Sequence, residues 1–412
     1  MKINTNKGAI KETLDSRYVE KIWPSKKQLE DFLTSGRRLT IYIGIDPTGP
    51  QLHLGHSTNF LFLKKLQKLG HKVILLIGDF TAQIGDPTGK MSMRKPMTKS
   101  EILFNCKNYK IQAGKILDLG LSKNHVSLEF NSRWLSKLNL GKLIDITSKV
   151  TVGKIIKRDM FQERIREGRE IYLHEFLYPL LQGYDSVALN TDAEIGGNDQ
   201  TFNMLVGRDL VKIYQKREKI VITTKLLINP KTKKKMMSKS EGGYISLDDK
   251  PHDMYGKVMA LPDEVIVTCF ELCTEISQKE LESIKKSLRE RKIHPRQVKV
   301  RLAKEIVGMY HGDKEAKAAE EEFNKVFRER KSPSKLPIFV VPHDSYPLID
   351  LLTELKFSKS KSEAKRLILQ GGVTIRFQGK ESKSRDWSRN VEIKDDLTLK
   401  IGKRRFARIK RR

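Results

Sequence analysis

The tetrapeptide His53-Leu54-Gly55-His56 constrains the fold of this chain more than any other segment. An apolar run at residues 39–45 precedes it, and an amphipathic stretch at residues 57–69 follows it. This order predicts a strand, a turn and a helix. Two imidazoles one helical turn apart, with a glycine between them, suit a phosphate that approaches the N-terminus of that helix. The glycine leaves room for a nucleotide ring against the backbone.

A second segment, Met237-Ser238-Lys239-Ser240, lies in a loop rich in Lys, Ser and Gly at residues 229–243. Such a loop can close over a triphosphate and neutralise charge as pyrophosphate leaves. The run Gly85-Asp86-Pro87-Thr88-Gly89-Lys90 superficially suggests a Walker A loop. It is rejected because its two glycines are separated by three residues instead of four, and because Met91 stands where Ser or Thr should hold magnesium.

Buried-strand patterns alternate with helical patterns from residue 39 to about residue 225. This alternation predicts an α/β fold with a parallel sheet and helices on both of its faces. A capping box, Thr98 with Glu101, predicts the start of one helix. The strands are predicted at residues 39–45, 73–79, 126–130, 187–190 and 220–223.

The rest of the chain changes character twice. Residues 1–36 have helical, charged patterns, and residues 250–330 have helical periodicity without strand patterns, which predicts a small helical domain. The Pro- and Ser-containing segment 331–344 is predicted to be a linker. A compact unit is predicted at residues 345–412, with helices at 348–355 and 363–369 and strands at 373–377 and 397–401. Residues 1–249 are predicted to form one domain, which contains both signatures.

The composition favours a soluble protein that binds polyanions. The 412 residues carry a formal net charge of +30, which attracts RNA or DNA, although a general bias toward lysine is the alternative explanation. The three cysteines form no CxxC pair, so a structural zinc is not expected. With no apolar segment of membrane-spanning length and no apolar leader, a cytoplasmic location is expected.

Together the two signatures resemble those of class I aminoacyl-tRNA synthetases, and the whole chain closely resembles bacterial-type tyrosyl-tRNA synthetases. The resemblance rests on five further segments. They are Tyr42-Ile43-Gly44-Ile45-Asp46-Pro47-Thr48, Ile77-Gly78-Asp79-Phe80-Thr81, Ile84 to Lys90, Tyr178-Pro179-Leu180-Leu181-Gln182-Gly183-Tyr184-Asp185, and Gly196-Gly197-Asn198-Asp199-Gln200. The resemblance implies a Rossmann-like parallel-sheet catalytic domain, a small α-helical anticodon-side domain and a C-terminal S4-like RNA-binding domain.

The spacing of Tyr178, Gln182 and Asp185 puts all three on one helix face, where they could read a polar ligand. A solvent-facing polar helix is the alternative. The resemblance implies that Asp185 and Tyr42 bond the substrate phenol. It also implies that Tyr178, Gln182 and Asp86 hold the α-ammonium, with Gln200 near the carboxylate of tyrosine.

The resemblance also assigns the ATP site. Thr48, His53 and His56 would stabilise the α-phosphate and the leaving group, and Asp199 would bond the ribose. Lys90 and Arg94 would clamp pyrophosphate, although residues 90–99 are basic throughout. The remaining ATP-binding residues are Gly55, Gly197, Lys239 and Ser240. ATP is expected as a substrate with Mg²⁺ on its phosphates, and no metal bound by the protein is expected.

The second signature departs from the family pattern. Alignment on Tyr244-Ile245 puts Met236 where the family has the first lysine of Lys-Met-Ser-Lys-Ser. Because lysine is a long, flexible point charge, Lys235 or one of its lysine neighbours could reach the same phosphate.

The C-terminal unit resembles an S4-type domain through Ser360 to Val373 and a basic final run. The basic side chains expected to contact tRNA phosphates are Lys361, Lys365, Arg366, Arg404 and Arg405. A solvated cationic tail is the alternative from Lys410 onward. The resemblance further implies a homodimer, with residues 134–161 at its interface.

The predicted function is therefore activation of L-tyrosine with ATP, followed by transfer of tyrosine to the 3′ end of tRNA(Tyr). One rival is a tryptophanyl-tRNA synthetase, which Asp185, Tyr42 and the appended S4-like unit oppose. A second rival is a small nucleotidyltransferase with an HxGH turn, which is usually shorter. A third is a non-catalytic RNA-binding protein on a decayed synthetase fold, which only Met236 favours.

Overall fold

The computed structural model of the chain describes residues 3–87, 97–120, 122, 124–237, 244–327, 336–377, 380–394, 397–402 and 405–411. The chain divides into two compact units, residues 1–317 and residues 318–412. Across the described ranges, no helix is both long and apolar enough to cross a membrane.

A six-stranded sheet forms the centre of the first unit, with strand order β1-β6-β5-β2-β3-β4. The pairs among β6, β5, β2, β3 and β4 are parallel, which confirms the predicted parallel sheet. Residues 73–77 of β3 are all buried, and alternate residues of a strand face opposite sides, so both faces of the sheet are covered. The strands are β1 (Val19–Trp23), β2 (Thr40–Ile45), β3 (Lys72–Ile77), β4 (Ser127–Phe130), β5 (Ala193–Gly197) and β6 (Ile220–Thr224).

Strand β1 pairs antiparallel with β6 at the edge of this sheet, within the segment predicted to be helical. The strand has only five residues, and two of them, Glu20 and Lys21, are exposed. Such a short, charged edge strand has no continuous apolar run, so periodicity alone does not reveal it.

The strand predicted at residues 187–190 is wrong. Val187 and Ala188 end the helix Leu173–Ala188, and the chain turns at Asn190, whose φ is 50°. The fifth strand of the sheet is Ala193–Gly197. It was missed because Glu194 and two glycines interrupt its apolar pattern, whereas the last turn of the helix is apolar.

The helices of the first unit include the one predicted from the capping box. Thr98 N–H donates to Glu101 Oε2 at 2.8 Å, and Glu101 N–H donates to Thr98 Oγ1 at 3.3 Å. The helices up to β6 are α1 (Lys7–Leu14), α2 (Lys26–Thr34), α3 (Leu54–Lys68), α4 (Thr81–Ile84), α5 (Lys99–Cys106), α6 (Tyr109–Ala113), α7 (Ser132–Leu135), α8 (Leu140–Thr147), α9 (Val152–Ile156), α10 (Asp159–Arg166), α11 (Leu173–Ala188) and α12 (Thr201–Gln215).

From Pro251 to residue 327 the described chain is helical, as the loss of strand patterns after residue 250 predicts. The first unit also contains two short 3₁₀ turns, Asn198–Gln200 and Asp263–Val265. The helices are α13 (Pro251–Met259), α14 (Ile266–Cys273), α15 (Gln278–Arg289), α16 (Pro295–His311) and α17 (Asp313–Phe327).

The second unit holds a five-stranded sheet of order β10-β9-β12-β13-β7 and a separate pair, β11-β8. Its helices α18 (Leu348–Glu354) and α19 (Lys361–Leu369) lie where the sequence predicts them, as do β9 (Val373–Phe377) and β12 (Leu397–Ile401). The first strand lies within residues 331–344, the range assigned to a linker. The other strands are β7 (Ile338–Val341), β8 (Ser345–Pro347), β10 (Lys380–Ser384), β11 (Asn390–Glu392) and β13 (Arg405–Arg411).

Candidate active site

The carboxyl ends of β2, β3 and β5 carry most of the predicted site. Asp46 follows β2, Gly78 follows β3, and the turn Asn198–Gln200 follows β5. Tyr178, on the polar face of helix α11, donates a hydrogen bond to Asp46, so this helix also contributes to the site. Ligands of open parallel sheets bind at this edge, because the loops after neighbouring strands meet there.

The two histidines of the first signature form the N-terminus of α3. Gly55 N–H donates to His53 Nδ1 and His53 N–H donates to His56 Nδ1, each at 3.1 Å. The ring centroids lie 4.1 Å apart. Because each Nδ1 accepts a backbone hydrogen bond, the proton of each neutral imidazole is on Nε2, which can donate to an anion. A Cβ at Gly55 would lie 3.0 Å from the His53 ring, so a glycine suits this close arrangement.

Backbone hydrogen bonds join the two signatures, which are far apart in the sequence. Leu54 N–H donates to Ile245 O at 3.1 Å, and Leu247 N–H donates to Leu52 O at 2.9 Å. Ile245 N–H also lies 3.3 Å from Met237 Sδ. The segment that follows the second signature is therefore fixed beside the histidine turn. Lys239 and Ser240 lie outside the described residues.

Three positions predicted for the ATP site, Gly197, Asp199 and Thr48, have close partners. A Cβ at Gly197 would lie 2.6 Å from Asp199 Oδ1 and 2.9 Å from Leu226 Cδ2, so a larger residue would displace these side chains. Lys235 Nζ lies 2.7 Å from Asp199 Oδ2, so a lysine adjacent to Met236 already reaches the predicted ribose carboxylate. Thr48 is exposed, and its N–H donates to Asp46 O at 2.8 Å. Lys90 and Arg94 lie outside the described residues.

A first hydrogen-bond chain links three of the predicted tyrosine-binding residues. Gln200 Nε2 donates to Asp86 Oδ2 at 2.7 Å. Asn203 Nδ2 donates to Gln200 Oε1 at 3.1 Å and to Gln182 Oε1 at 2.9 Å. Gln182 Nε2 then donates to Glu194 Oε1 at 3.3 Å. The first chain therefore fixes the amide orientations of both glutamines.

A second hydrogen-bond chain links two more of them. Tyr178 Oη donates to Asp46 Oδ2 at 2.9 Å, and Thr81 Oγ1 donates to Asp46 Oδ1 at 2.8 Å. Asn131 Nδ2 donates to Thr81 Oγ1 at 3.1 Å and to Asp185 Oδ2 at 3.2 Å. Tyr178 and Asp185, about two turns apart on α11, are thus held by one set of loops.

The two residues predicted to bond the phenol of tyrosine, Asp185 and Tyr42, are both buried. Asp185 is 2% exposed, and its Oδ1 accepts a hydrogen bond from Trp134 Nε1 at 2.8 Å. Burial raises the pKa of Asp185 well above its usual range. Tyr42 is fully buried, with its Oη 2.7 Å from Ser186 Oγ, and burial raises its pKa as well. Since Asp185 and Tyr178 are buried, the polar stripe does not face solvent.

Several residues that hold the site were missed by sequence reasoning. One of them is Asp46, whose place directly after a predicted strand is a usable signal for a site residue. The other contributors are single polar residues within apolar or mixed segments, and periodicity does not mark them. They are Asn131, Trp134, Ser186, Glu194, Asn203 and Lys219.

The predicted RNA-binding residues lie in the second unit. Lys361, Lys365 and Arg366 are exposed on α19, whose opposite side buries Ala364 and Ile368. The ammonium of Lys365 lies 4.4 Å from the ring centre of Trp387, which is 40% exposed. Arg405 donates to Phe357 O at 2.8 Å, and Arg404 lies outside the described residues. Among the described residues, no group of three or more His, Cys, Asp or Glu side chains could hold a metal.

Comparison with known proteins identifies the fold and the family. The family model for class I tRNA synthetases (W and Y) matches residues 34–328. The tyrosine–tRNA ligase of Thermotoga maritima is 43% identical over 385 residues, which cover 93% of this chain and 94% of the relative. That of Aquifex aeolicus is 39% identical and covers 93% of this chain and 94% of its own length.

Solved structures show the same fold. A C-terminally truncated mitochondrial tyrosyl-tRNA synthetase of Aspergillus nidulans matches with a TM-score of 0.65 at 24% identity, covering 77% of this chain and 94% of that one. The chain belongs to the class I tRNA synthetases of the tryptophan and tyrosine group. Within that group it belongs to the tyrosine–tRNA ligases.

The second hydrogen-bond chain depends on a missing side chain. A Cβ at Gly78 would lie 2.0 Å from Asp46 Oδ1 and 2.5 Å from Thr81 Oγ1. We expect Gly78→Ala to displace both groups, to lower the free energy of unfolding by about 1–3 kcal/mol and to raise the KM for tyrosine. Urea unfolding and tyrosine-dependent pyrophosphate exchange measure the two effects.

Gly256→Ala is the matched control, because no atom lies within 4 Å of the added Cβ. In helix α13 it should leave exchange unchanged and raise stability by up to about 1 kcal/mol. Wild-type stability and KM in Gly78→Ala would contradict the role given to Asp46.

Proposed function

We propose that this chain joins L-tyrosine to ATP, giving tyrosyl-adenylate and pyrophosphate, and then transfers tyrosine to the 3′ end of tRNA(Tyr). The observation that carries the proposal is the buried carboxylate of Asp185 beside the buried hydroxyl of Tyr42. These groups suit a phenol, which can donate to one and accept from the other.

Tyrosine would be recognised at both ends. Its phenol would donate to Asp185, while Tyr178, Gln182 and Asp86 would hold its ammonium and Gln200 would lie near its carboxylate. Phenylalanine would leave the buried Asp185 and Tyr42 without a ligand partner, which is costly in a closed pocket. Discrimination of about 10⁵ against phenylalanine is the reference value for this class of enzyme.

ATP would lie along the N-terminus of α3. The Nε2–H groups of His53 and His56 would donate to the α-phosphate and the leaving group as negative charge develops, supported by the helix dipole. Gly55 and Gly197 would allow backbone to approach the nucleotide. Asp199 would bond the ribose, which requires the hydroxyls to replace Lys235 at that carboxylate.

The remaining proposed contacts to ATP are positive or hydrogen-bonding groups. Thr48, Lys90, Arg94, Lys239 and Ser240 would surround the phosphates. Mg²⁺ would accompany ATP as part of the substrate, neutralising charge on the phosphates. No covalent enzyme intermediate is needed, because the carboxylate of tyrosine attacks the α-phosphorus directly once both substrates are positioned.

Transfer to RNA would use the C-terminal unit as an RNA-binding platform. The exposed cations of α19, Lys361, Lys365 and Arg366, together with Arg404 and Arg405, would contact tRNA phosphates. A net charge of +30 supports this partner. The cytoplasm, where tRNA, ATP and tyrosine occur together, is the proposed location.

Pyrophosphate exchange tests the activation step directly. With tyrosine and Mg²⁺, labelled pyrophosphate should be incorporated into ATP. Neither phenylalanine nor tryptophan at the same concentration should support this incorporation. Exchange with tryptophan would instead indicate the tryptophan-specific member of the group. Absence of exchange with all three amino acids would favour a non-catalytic RNA-binding protein.

Position 236 provides a test of the second signature. We expect Met236→Lys to raise kcat for exchange, since a second ammonium would join Lys239 near the leaving pyrophosphate. In a Lys235→Met background the gain should be larger, because Lys235 is the neighbouring lysine that reaches the ribose carboxylate. Lys234→Met is the control background.

An unchanged kcat for Met236→Lys in the wild-type background, with a gain only in Lys235→Met, would show that Lys235 already supplies the charge. No gain in either background would contradict a role for a positive charge at this position.

Deletion of residues 338–412 separates the two chemical steps. The cut precedes β7, so it removes the C-terminal sheet as a whole. We expect tyrosine-dependent exchange to persist and aminoacylation of tRNA to fall at least about tenfold, which corresponds to the loss of a few phosphate contacts. An equal loss of both activities would contradict a tRNA-docking role.

A homodimer is the proposed assembly. Large apolar side chains are exposed on α8, on α9 and at the start of α11, where Leu140 is 72%, Val152 60% and Leu173 78% exposed. Such a concentration of apolar surface is typical of a subunit interface. Sedimentation equilibrium should give twice the chain mass of 47.5 kDa. Leu173→Glu should shift it toward the monomer, and Leu369→Glu in the C-terminal unit should not.

A further inference from the structure

A buried lysine lies behind the proposed phenol pocket. Lys219 directly precedes β6, and its side chain is 0% exposed. Its ammonium is paired with Glu194 Oε2, donates to Ser186 Oγ at 2.6 Å and lies 3.4 Å from Met204 O. An ammonium has three N–H donors and no acceptor, and three oxygen acceptors surround this one. Burial lowers the pKa of Lys219, and the charge of Glu194 opposes that shift.

The packing of α11 against α12 makes room for this group. A Cβ at Gly207 would lie 2.7 Å from Lys219 Nζ and 2.9 Å from Ser186 Oγ. Any larger residue at 207 would therefore exclude the ammonium from its position. The ammonium of Lys219 thus occupies space that Gly207 leaves open, and the carboxylate of Glu194 balances its charge.

Lys219 also determines the direction of a hydrogen bond to Tyr42. Because Ser186 Oγ accepts from Lys219, its single hydrogen is left for Tyr42 Oη at 2.7 Å or for Glu194 Oε2 at 3.3 Å. The shorter distance is the usual one for a hydroxyl pair, and Glu194 Oε2 already accepts from Lys219. Ser186 therefore donates to Tyr42, and Glu194 is an acceptor for the hydrogen of Tyr42. The Tyr42 hydroxyl is thus held by two groups that both bond Lys219.

The other oxygen of Glu194 bonds a residue proposed to read the ammonium of tyrosine. Glu194 Oε1 accepts from Gln182 Nε2, and Gln182 Oε1 accepts from Asn203 Nδ2, so both ends of this amide are fixed. One buried carboxylate is therefore shared by the group proposed to read the phenol and a group proposed to read the ammonium.

We propose that Lys219, with Glu194, is a positioning residue for tyrosine selection, which acts through Ser186 to hold the Tyr42 hydroxyl in place for the phenol of the substrate. The inference rests on the proposed function, since it concerns the same pocket. The phenol oxygen then meets a hydroxyl of fixed position, while the hydrogen of the phenol goes to Asp185. Phenylalanine gains nothing from this arrangement, so Lys219 contributes to selectivity and not to catalysis in general.

The main test is Lys219→Met combined with Glu194→Gln, which removes both charges and nearly preserves volume. Exchange is measured with tyrosine and, at higher enzyme concentration, with phenylalanine. We expect the ratio of kcat/KM for tyrosine over phenylalanine to fall at least about tenfold, the scale of one lost hydrogen bond to a buried partner. The KM for tyrosine should rise and the KM for ATP should not change.

Two further proteins separate positioning from general stability. Ser186→Ala leaves the Lys219–Glu194 pair intact and is expected to reduce the same ratio, even if the double variant folds poorly. Arg164→Met with Glu175→Gln removes a comparably buried pair, 2% and 4% exposed, that belongs to neither hydrogen-bond chain. This control should lower the melting temperature without changing the ratio.

An unchanged ratio in Ser186→Ala, or an equal fall with both amino acids in the double variant, would overturn the inference. Failure of the proposed function itself would look different, because the wild-type protein would then show no tyrosine-dependent exchange.

Discussion

Burial of carboxylates on and around the parallel sheet is the constraint on which the rest of the site depends. Asp86 is 8%, Asp185 2% and Glu194 1% exposed, and Asp46 is partly buried. Charges removed from water need hydrogen-bond donors or opposite charges to remain stable in the folded protein. The two hydrogen-bond chains and Lys219 supply these partners, and in doing so they fix the orientation of each group that faces the cleft.

This constraint explains why supporting residues come from so many elements. Asn131 and Trp134 after β4, Thr81 on α4 and Asn203 on α12 each donate to a carboxylate or to an amide that bonds one. Gly78 and Gly207 leave space for these contacts. A pocket organised before its ligand arrives loses little entropy on binding and penalises a ligand that leaves a polar group without its partner.

Much of the fold could be predicted, because long patterns determine it. Strands β2, β3 and β6 are continuous apolar runs, and α19 has a capping residue and an apolar face. The prediction failed at residues 187–190 because the last turn of an amphipathic helix is locally as apolar as a strand, whereas β5 contains a buried glutamate. A single sequence does not show that Lys219 compensates Glu194, since the two residues meet only through pairing of β5 with β6.

The residues of the sequence motifs could be predicted as site residues, but the contacts that support them could not. The histidine turn follows from a strand, a glycine and a helix that are adjacent in sequence, and the spacing on α11 follows from helical geometry. The link between the two signatures, through Leu54 and Ile245, joins segments almost 200 residues apart and needs the tertiary structure. The same holds for Asp46, which bonds Tyr178 across 132 positions.

The central claim is that the buried pair Asp185 and Tyr42 reads a phenol. Isothermal titration of the full-length chain with L-tyrosine and with L-phenylalanine, in the absence of ATP, tests it most directly. The account predicts saturable binding of tyrosine at one site per chain or per dimer, and no measurable heat from phenylalanine over the same concentrations. Binding of phenylalanine with an affinity similar to that of tyrosine would contradict it.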